Sequence, residues 1–97
     1  MIYEHAYLTT DPARAEEFEE ALRVGRGHLL AAPGCREVTV SRSVDKPGVY
    51  LLRVGWNRIE DHLDVFPATP HAARLAEAIG AFFQAEPTVV HFDGKQL

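Results

Sequence analysis

Val49-Tyr50-Leu51-Leu52-Arg53-Val54-Gly55-Trp56 is the most strand-like stretch of the chain. Its near-continuous apolar character, rather than strict alternation, predicts a central strand covered on both faces. Immediately before it, Asp45-Lys46-Pro47-Gly48 reads as a turn, and residues 35–44 alternate with Val38 and Val40 on one face and Thr39 and Ser41 on the other. The two runs and the turn predict a hairpin. Further upstream, residues 2–9 alternate between Ile2, Glu4, Ala6, Leu8 and Tyr3, His5, Tyr7, Thr9, with large or apolar groups in both sets.

Between that first strand and the hairpin, Asp11-Pro12 reads as an N-cap followed by proline in the first helical turn. Glu16 and Glu17 suit the positive helix end, Ala15, Phe18, Leu22, Gly25 and Leu29 make one apolar stripe, and Pro33-Gly34 stops the helix. Downstream of the central strand, Asn57 to Phe66 reads as a short helix broken by Pro67. Thr69-Pro70 then caps and starts another helix, whose stripe is Ala72, Leu75, Ile79 and Phe82, with Gly80 weakening it. Thr88 to Asp93 reads as a last short strand.

The order is β-α-β-β-α-β, which predicts an α+β domain of the ferredoxin-like, split βαβ type over residues 1–97. Right-handed crossovers put the helices on one face of a four-stranded antiparallel sheet. The other face then carries apolar side chains that nothing in the chain covers. A second copy is the simplest cover, so a homodimer through the helix-free sheet face is expected. A chain this small buries only about 60–65% of its unfolded surface, which gives association a further motive.

Composition excludes several classes. The formal charge is -4 and no run of basic residues exists, so neither a nucleic-acid partner nor an anionic membrane surface is expected. The single cysteine, Cys35, rules out an internal disulfide and a paired-thiolate metal site, and it fits a reduced, cytoplasmic protein. Met1-Ile2-Tyr3-Glu4-His5 has neither a basic region nor a long apolar run, so no leader or membrane span is expected there. No Gly-x-Gly-x-x-Gly, P-loop, Gly-x-Ser-x-Gly or helical His-x-x-x-His is present, so the expectation is no metal and no cofactor.

Several segments together resemble the antibiotic biosynthesis monooxygenase family. They are Tyr50 to Trp56, Glu60-Asp61-His62, Phe66, Thr69-Pro70-His71, Phe82-Phe83 and Val89-Val90-His91-Phe92, with the Asp-Pro helix start and the Ala-Pro-Gly before the second strand. The resemblance implies a dimeric α+β barrel with a pocket in each subunit between helices and sheet. It also implies one of several chemistries: cofactor-independent oxidation of aromatic polyketides, quinol oxidation, haem degradation or isomerisation of a small metabolite. Where the polyketide oxygenases carry Asn-x-x-x-Trp on the helix after the third strand, this chain has His62 and Phe66. The positions of the haem-degrading members' tryptophan and iron-ligand histidine are Phe66 and Ala76, which disfavours haem.

Five histidines in 97 residues is a high count, and imidazole is the side chain best matched to proton transfer near neutral pH. His62, aligned with a pocket position of the family, is the leading candidate for acid-base chemistry, with His91 on the last strand and the hydroxyl of Tyr7 assisting. Trp56, Phe66, His5, His71, Phe82 and Phe83 are the candidates for binding an apolar, aromatic small molecule. The expected activity is cofactor-independent monooxygenation of an electron-rich phenol, hydroquinone or anthrone. The alternatives are a cofactor-free isomerase or cyclase, and a non-catalytic dimer that binds a small ligand.

Overall fold

The computed structural model describes residues 1–97. The strands are β1 (Ile2–Thr9), β2 (Cys35–Arg42), β3 (Val49–Trp56) and β4 (Thr88–Asp93); the α-helices are α1 (Ala15–Leu30) and α2 (Pro70–Ile79). All three strand pairings are antiparallel and the sheet order is β2-β3-β1-β4, the ferredoxin-like arrangement expected from the element order.

The pairing register fixes which side chains share a face. Glu4, Ala6 and Leu8 of β1 lie opposite Val54, Leu52 and Tyr50 of β3, and these residues are buried under the helical layer. Val38 and Val40 of β2 and His91 of β4 share that face through their pairings with Val54, Leu52 and Glu4. The expected α1 stripe is the face that packs down: Phe18, Leu22, Gly25 and Leu29 are buried. Gly25 meets α2 closely, since a Cβ there would stand 2.9 Å from the Leu75 side chain.

The other sheet face has no helix on it. Tyr3, His5 and Tyr7 stand beside Arg53 and Leu51 of β3 and Val90 and Phe92 of β4. Here the central strand departs from the expected two-sided burial. Leu52, Val54 and Trp56 are buried, whereas Val49, Leu51 and Arg53 are only half-buried. Arg53 lies 3.7 Å over the Tyr3 ring and 3.5 Å from the Glu37 carboxylate, both within the chain.

Local chemistry explains the other departures. Asp11 caps as expected, accepting from the Ala13 N–H, but the turn it opens, Pro12–Arg14, is a tight 3₁₀ turn ahead of α1. The Asn57–Phe66 stretch forms no ordinary α-helix. Residues Asp61–Val65 make a wide π turn, in which the Phe66 N–H reaches back five residues to the Asp61 carbonyl, and a 3₁₀ turn Phe66–Ala68 follows. Pro67 has no N–H to continue an α register. Thr69 occupies the capping position of α2, but its hydroxyl donates to the Phe66 carbonyl instead of capping. Gly80 ends α2 rather than lying within it, so Phe82 belongs to a separate turn. β2 stops at Arg42, short of the expected residue 44, because Ser43 binds the Asp45 carboxylate and starts the turn.

Candidate active site

The site begins at Glu4. A glutamate in the middle of β1, on the face that packs under helices, is buried to 6% exposure. It has β3 on one side and His91 of β4 directly across on the other. Its Oε1 accepts a hydrogen bond from the Trp56 indole N–H at 3.0 Å. His62 Nε2 lies 3.4 Å from the same oxygen. On the far side of that imidazole, His62 Nδ1 and His91 Nε2 are 2.8 Å apart. Glu4, His62 and His91 therefore form a line of polar contacts with an aromatic wall beside it. The Trp56 and His62 rings stack at 5.3 Å with only 12° between their planes, and Phe66 leans on Trp56 at 5.5 Å.

Each group reaches its place for a local reason. Trp56, fully buried, ends the apolar run of β3. His62 is carried by the π turn, which Asp61 ties down. The Asp61 carboxylate accepts from the Arg58 backbone N–H at 3.1 Å and from its guanidinium at 3.0 Å. Gly34 lies against that carboxylate with φ +79°, a conformation that glycine adopts without strain. His91 is half-buried on β4, the sheet edge, where its neighbour on the same face, Val89, is 43% exposed.

Electrostatics follow from burial. Burial raises the Glu4 carboxyl above its usual 4.5, and the Trp56 hydrogen bond and the charge of His91 act against that rise. Burial holds His62 below the ordinary 6.5 in spite of the nearby carboxylate. His91 is lowered by burial and by His62, with Glu4 opposing. Both imidazoles are thus neutral near pH 7 and able to take up a proton. The Cys35 thiol, on the neighbouring end of β2, is pushed up to about 11 by burial and by the charge of Glu4, so it is no nucleophile at neutral pH.

Four of the residues singled out in the sequence are brought together: Trp56, His62, Phe66 and His91. The others are not. Tyr7 and His5 project from the opposite sheet face, where His5 packs on Phe92 at 4.7 Å, so neither reaches the imidazole pair. Phe82 and Phe83 gather around Phe18 at 5.3 and 6.4 Å, beside Tyr50 at the other end of β3 from Trp56. Six residue steps of strand separate those ends, about 20 Å. His71, in the first turn of α2, has its Nδ1 buried without a hydrogen-bond partner. Glu4 is the member of this cluster that no pattern in the sequence singled out. Its signal was a carboxylate in register with Ala6 and Leu8 on the face destined for the core.

No three His, Cys, Asp or Glu side chains converge to hold a metal ion. Glu4 and His91 approach opposite nitrogens of His62, so they share no common centre. Open grooves lie elsewhere. One of about 330 Å³ runs between α1 and β2, lined by Leu22, Val40 and Tyr50 with Arg23, Arg26 and Arg42 at its rim. The imidazole pair does not line that groove. No helix is long and apolar enough to cross a membrane.

Residues 1–78 match the model of the antibiotic biosynthesis monooxygenase family. Among solved structures, the fold is similar to a Bordetella bronchiseptica protein named for that family (TM-score 0.92, 27% identity, 98% of this chain and 97% of that one). It is also similar in fold to SnoaB, a cofactor-independent oxygenase from Streptomyces nogalater (TM-score 0.77, 21% identity, 99% and 94%). A Bacillus subtilis (strain 168) protein, YczJ, is 28% identical over 92 residues, 95% of this chain and 97% of that one. With the family model matched from the first strand through the second helix and the same fold over nearly the whole length, the chain belongs to the antibiotic biosynthesis monooxygenase family.

Proposed function

We propose that the protein is a cofactor-independent monooxygenase of an electron-rich aromatic such as a phenol, hydroquinone or anthrone. The observation that supports this reading is the pair of neutral, touching imidazoles, His62 and His91, with the His62 ring stacked on Trp56 and Phe66 tilted against it. Ground-state oxygen is a triplet and reacts slowly with closed-shell molecules. An aromatic anion escapes that restriction by giving up one electron. In the proposed reaction a base takes the acidic proton of the substrate. The anion reduces O₂ by one electron, and the radical pair combines to a peroxide. Loss of water then leaves a new carbonyl. An anthrone methylene plus O₂ gives a ketone plus water, and a phenol plus O₂ gives a quinone plus water. One oxygen atom enters the product, the other leaves in water, and the substrate supplies all the electrons.

The protein's part is to accept the proton and return it to the leaving hydroxide. The covering partner proposed for the helix-free sheet face is a second copy, because Tyr7, Val90 and Phe92 there are each more than 40% exposed.

The test is oxygen uptake with a panel of hydroquinones and anthrones, with product oxygen traced from ¹⁸O₂. Uptake with one labelled atom in the product is expected. Turnover of a carbonyl or enol substrate without oxygen uptake would instead favour the isomerase. Inertness with tight binding would favour a ligand carrier.

A further inference from the structure

The line of contacts from Glu4 through His62 to His91 determines where the protons sit. An indole nitrogen only donates, so the hydrogen bond from Trp56 makes Glu4 Oε1 an acceptor. His62 Nε2 faces that same oxygen at 3.4 Å, an electrostatic contact rather than a hydrogen bond, between side chains that are 17% and 8% exposed. An unprotonated Nε2 would set its lone pair against the carboxylate oxygen, whereas an Nε2–H turns the positive end of the ring toward it. A neutral imidazole carries one proton, so with Nε2 protonated the His62 Nδ1 is an acceptor. The partner 2.8 Å from it, His91 Nε2, must then donate. His91 in turn has its single proton on Nε2 and a free lone pair on Nδ1. Unlike His71 Nδ1, that atom is not buried away from solvent, and no side chain or backbone group of the chain bonds it.

We propose that Glu4 is a positioning residue that locks His62 as its Nε2–H tautomer and so makes Nδ1 of His91, at the open edge of the sheet, the proton-accepting atom of the site. When His91 Nδ1 takes a proton from substrate, its Nε2 proton can pass to His62 Nδ1. The positive charge then comes to rest on the imidazole beside the Glu4 carboxylate. His91 is the catalytic base, His62 the carrier, and Glu4 acts only through them, as the orienting third member of a relay does. The charged or titratable groups acting on the pair are Glu4 from β1 and the two imidazoles themselves; Cys35 from β2 is a neutral thiol.

This inference rests on the reading of the imidazole pair as the site's proton carrier, but its first test needs no turnover. Long-range ¹H–¹⁵N spectra of the histidine side chains in the whole chain, above the pH at which both imidazoles are neutral, report the tautomer of each ring. Both His62 and His91 are expected to be protonated on Nε2, with the His91 Nδ1 resonance in the unprotonated range. A proton on Nδ1 of His62 would overturn the proposal, whatever the substrate. Glu4→Gln is the second arm, since an amide oxygen still accepts from Trp56 and still faces His62 Nε2 with a partial negative charge. It should keep both tautomers while moving proton uptake by the pair to lower pH, because the anion that steadies the imidazolium is gone. An unchanged titration would show that the carboxylate charge plays no part and would also overturn it. With a turned-over substrate, Glu4→Gln should lower kcat on the order of tenfold or more with little change in KM, and an unchanged kcat would count against the relay. Absence of oxygen uptake in the wild type, with the expected tautomers present, would remove the oxygenase reading and leave the relay standing.

Discussion

His62 touches Trp56, Phe66, His91 and Glu4, so its substitution is read as oxygen uptake per folded molecule, with urea denaturation scoring the folding. Removing a general acid-base group costs on the order of 10²–10⁴ in rate. His62→Ala is expected to lose oxygen uptake by that order while His28→Ala, on α1, keeps it. His62→Ala matching wild type within a factor of two would refute the role. The acid limb of the rate profile should lie below the ordinary imidazole value of 6.5, since burial lowers both His62 and His91. Stability carries the same signature. His62 resists protonation when folded, so its contribution is full above 6.5 and declines as pH falls through the lowered folded value. Glu4 is raised, so its contribution is full below 4.5 and declines as pH rises through its folded value. Glu4→Gln is therefore expected to be at least as stable as wild type at neutral pH. That advantage should shrink on acidification toward 4.5, read as urea midpoints across pH.

At the scale of elements, the π turn Asp61–Val65 is what aims His62, and Gly34 is what lets the turn sit where it does. Two penalties fall on Gly34→Ala. The φ of +79° is strained for any residue with a Cβ, and that Cβ would run into the Asp61 side chain. The expected loss is more than about 1 kcal/mol of stability by urea denaturation. Activity should fall beyond what unfolding explains, because Asp61 must release Arg58 or move the turn. Gly27→Ala in α1, where an added Cβ meets nothing within 4 Å, is the control and should be neutral or stabilising. Equal behaviour of the two variants would show that the turn tolerates displacement.

For the molecule as a whole, the helix-free sheet face is the feature without a partner inside the chain. His5 on Phe92 and Arg53 over Tyr3 partly organise it, yet Tyr7, Val90 and Phe92 remain open. Sedimentation at micromolar concentration is expected to give twice the 10.8 kDa chain mass. Tyr7→Arg with Phe92→Asp should return it to the chain mass. The imidazole pair lies on the other face of the sheet, so its histidine tautomers should survive that change. A wild-type monomer would remove the proposed second copy.

Periodicity along the chain was enough to place the four strands, the α1 stripe and the Asp11 cap, because apolar spacing and proline or glycine punctuation act over a few residues. It was also enough for the element order, and hence for the ferredoxin-like topology, whereas the family was legible only as a resemblance in segments such as Tyr50 to Trp56 and Val89 to Phe92. His62, His91, Trp56 and Phe66 were legible as candidates one by one. Their meeting depended on register. Glu4 faces His91 only because β1 lies between β3 and β4 with that alignment, and a slip of one residue would turn the carboxylate to the other face. The same register sent Tyr7 and His5 to the helix-free face, and it left Phe82 and Phe83 at the far end of β3. The π turn was invisible for a related reason: Asp61 holds Arg58 while lying against Gly34, from a distant loop, and no local pattern records that. Sequence by itself determined the four strands, the two α-helices and their order. The company each side chain keeps was decided by tertiary structure, because burial and pairing join residues as far apart as Glu4 and His91.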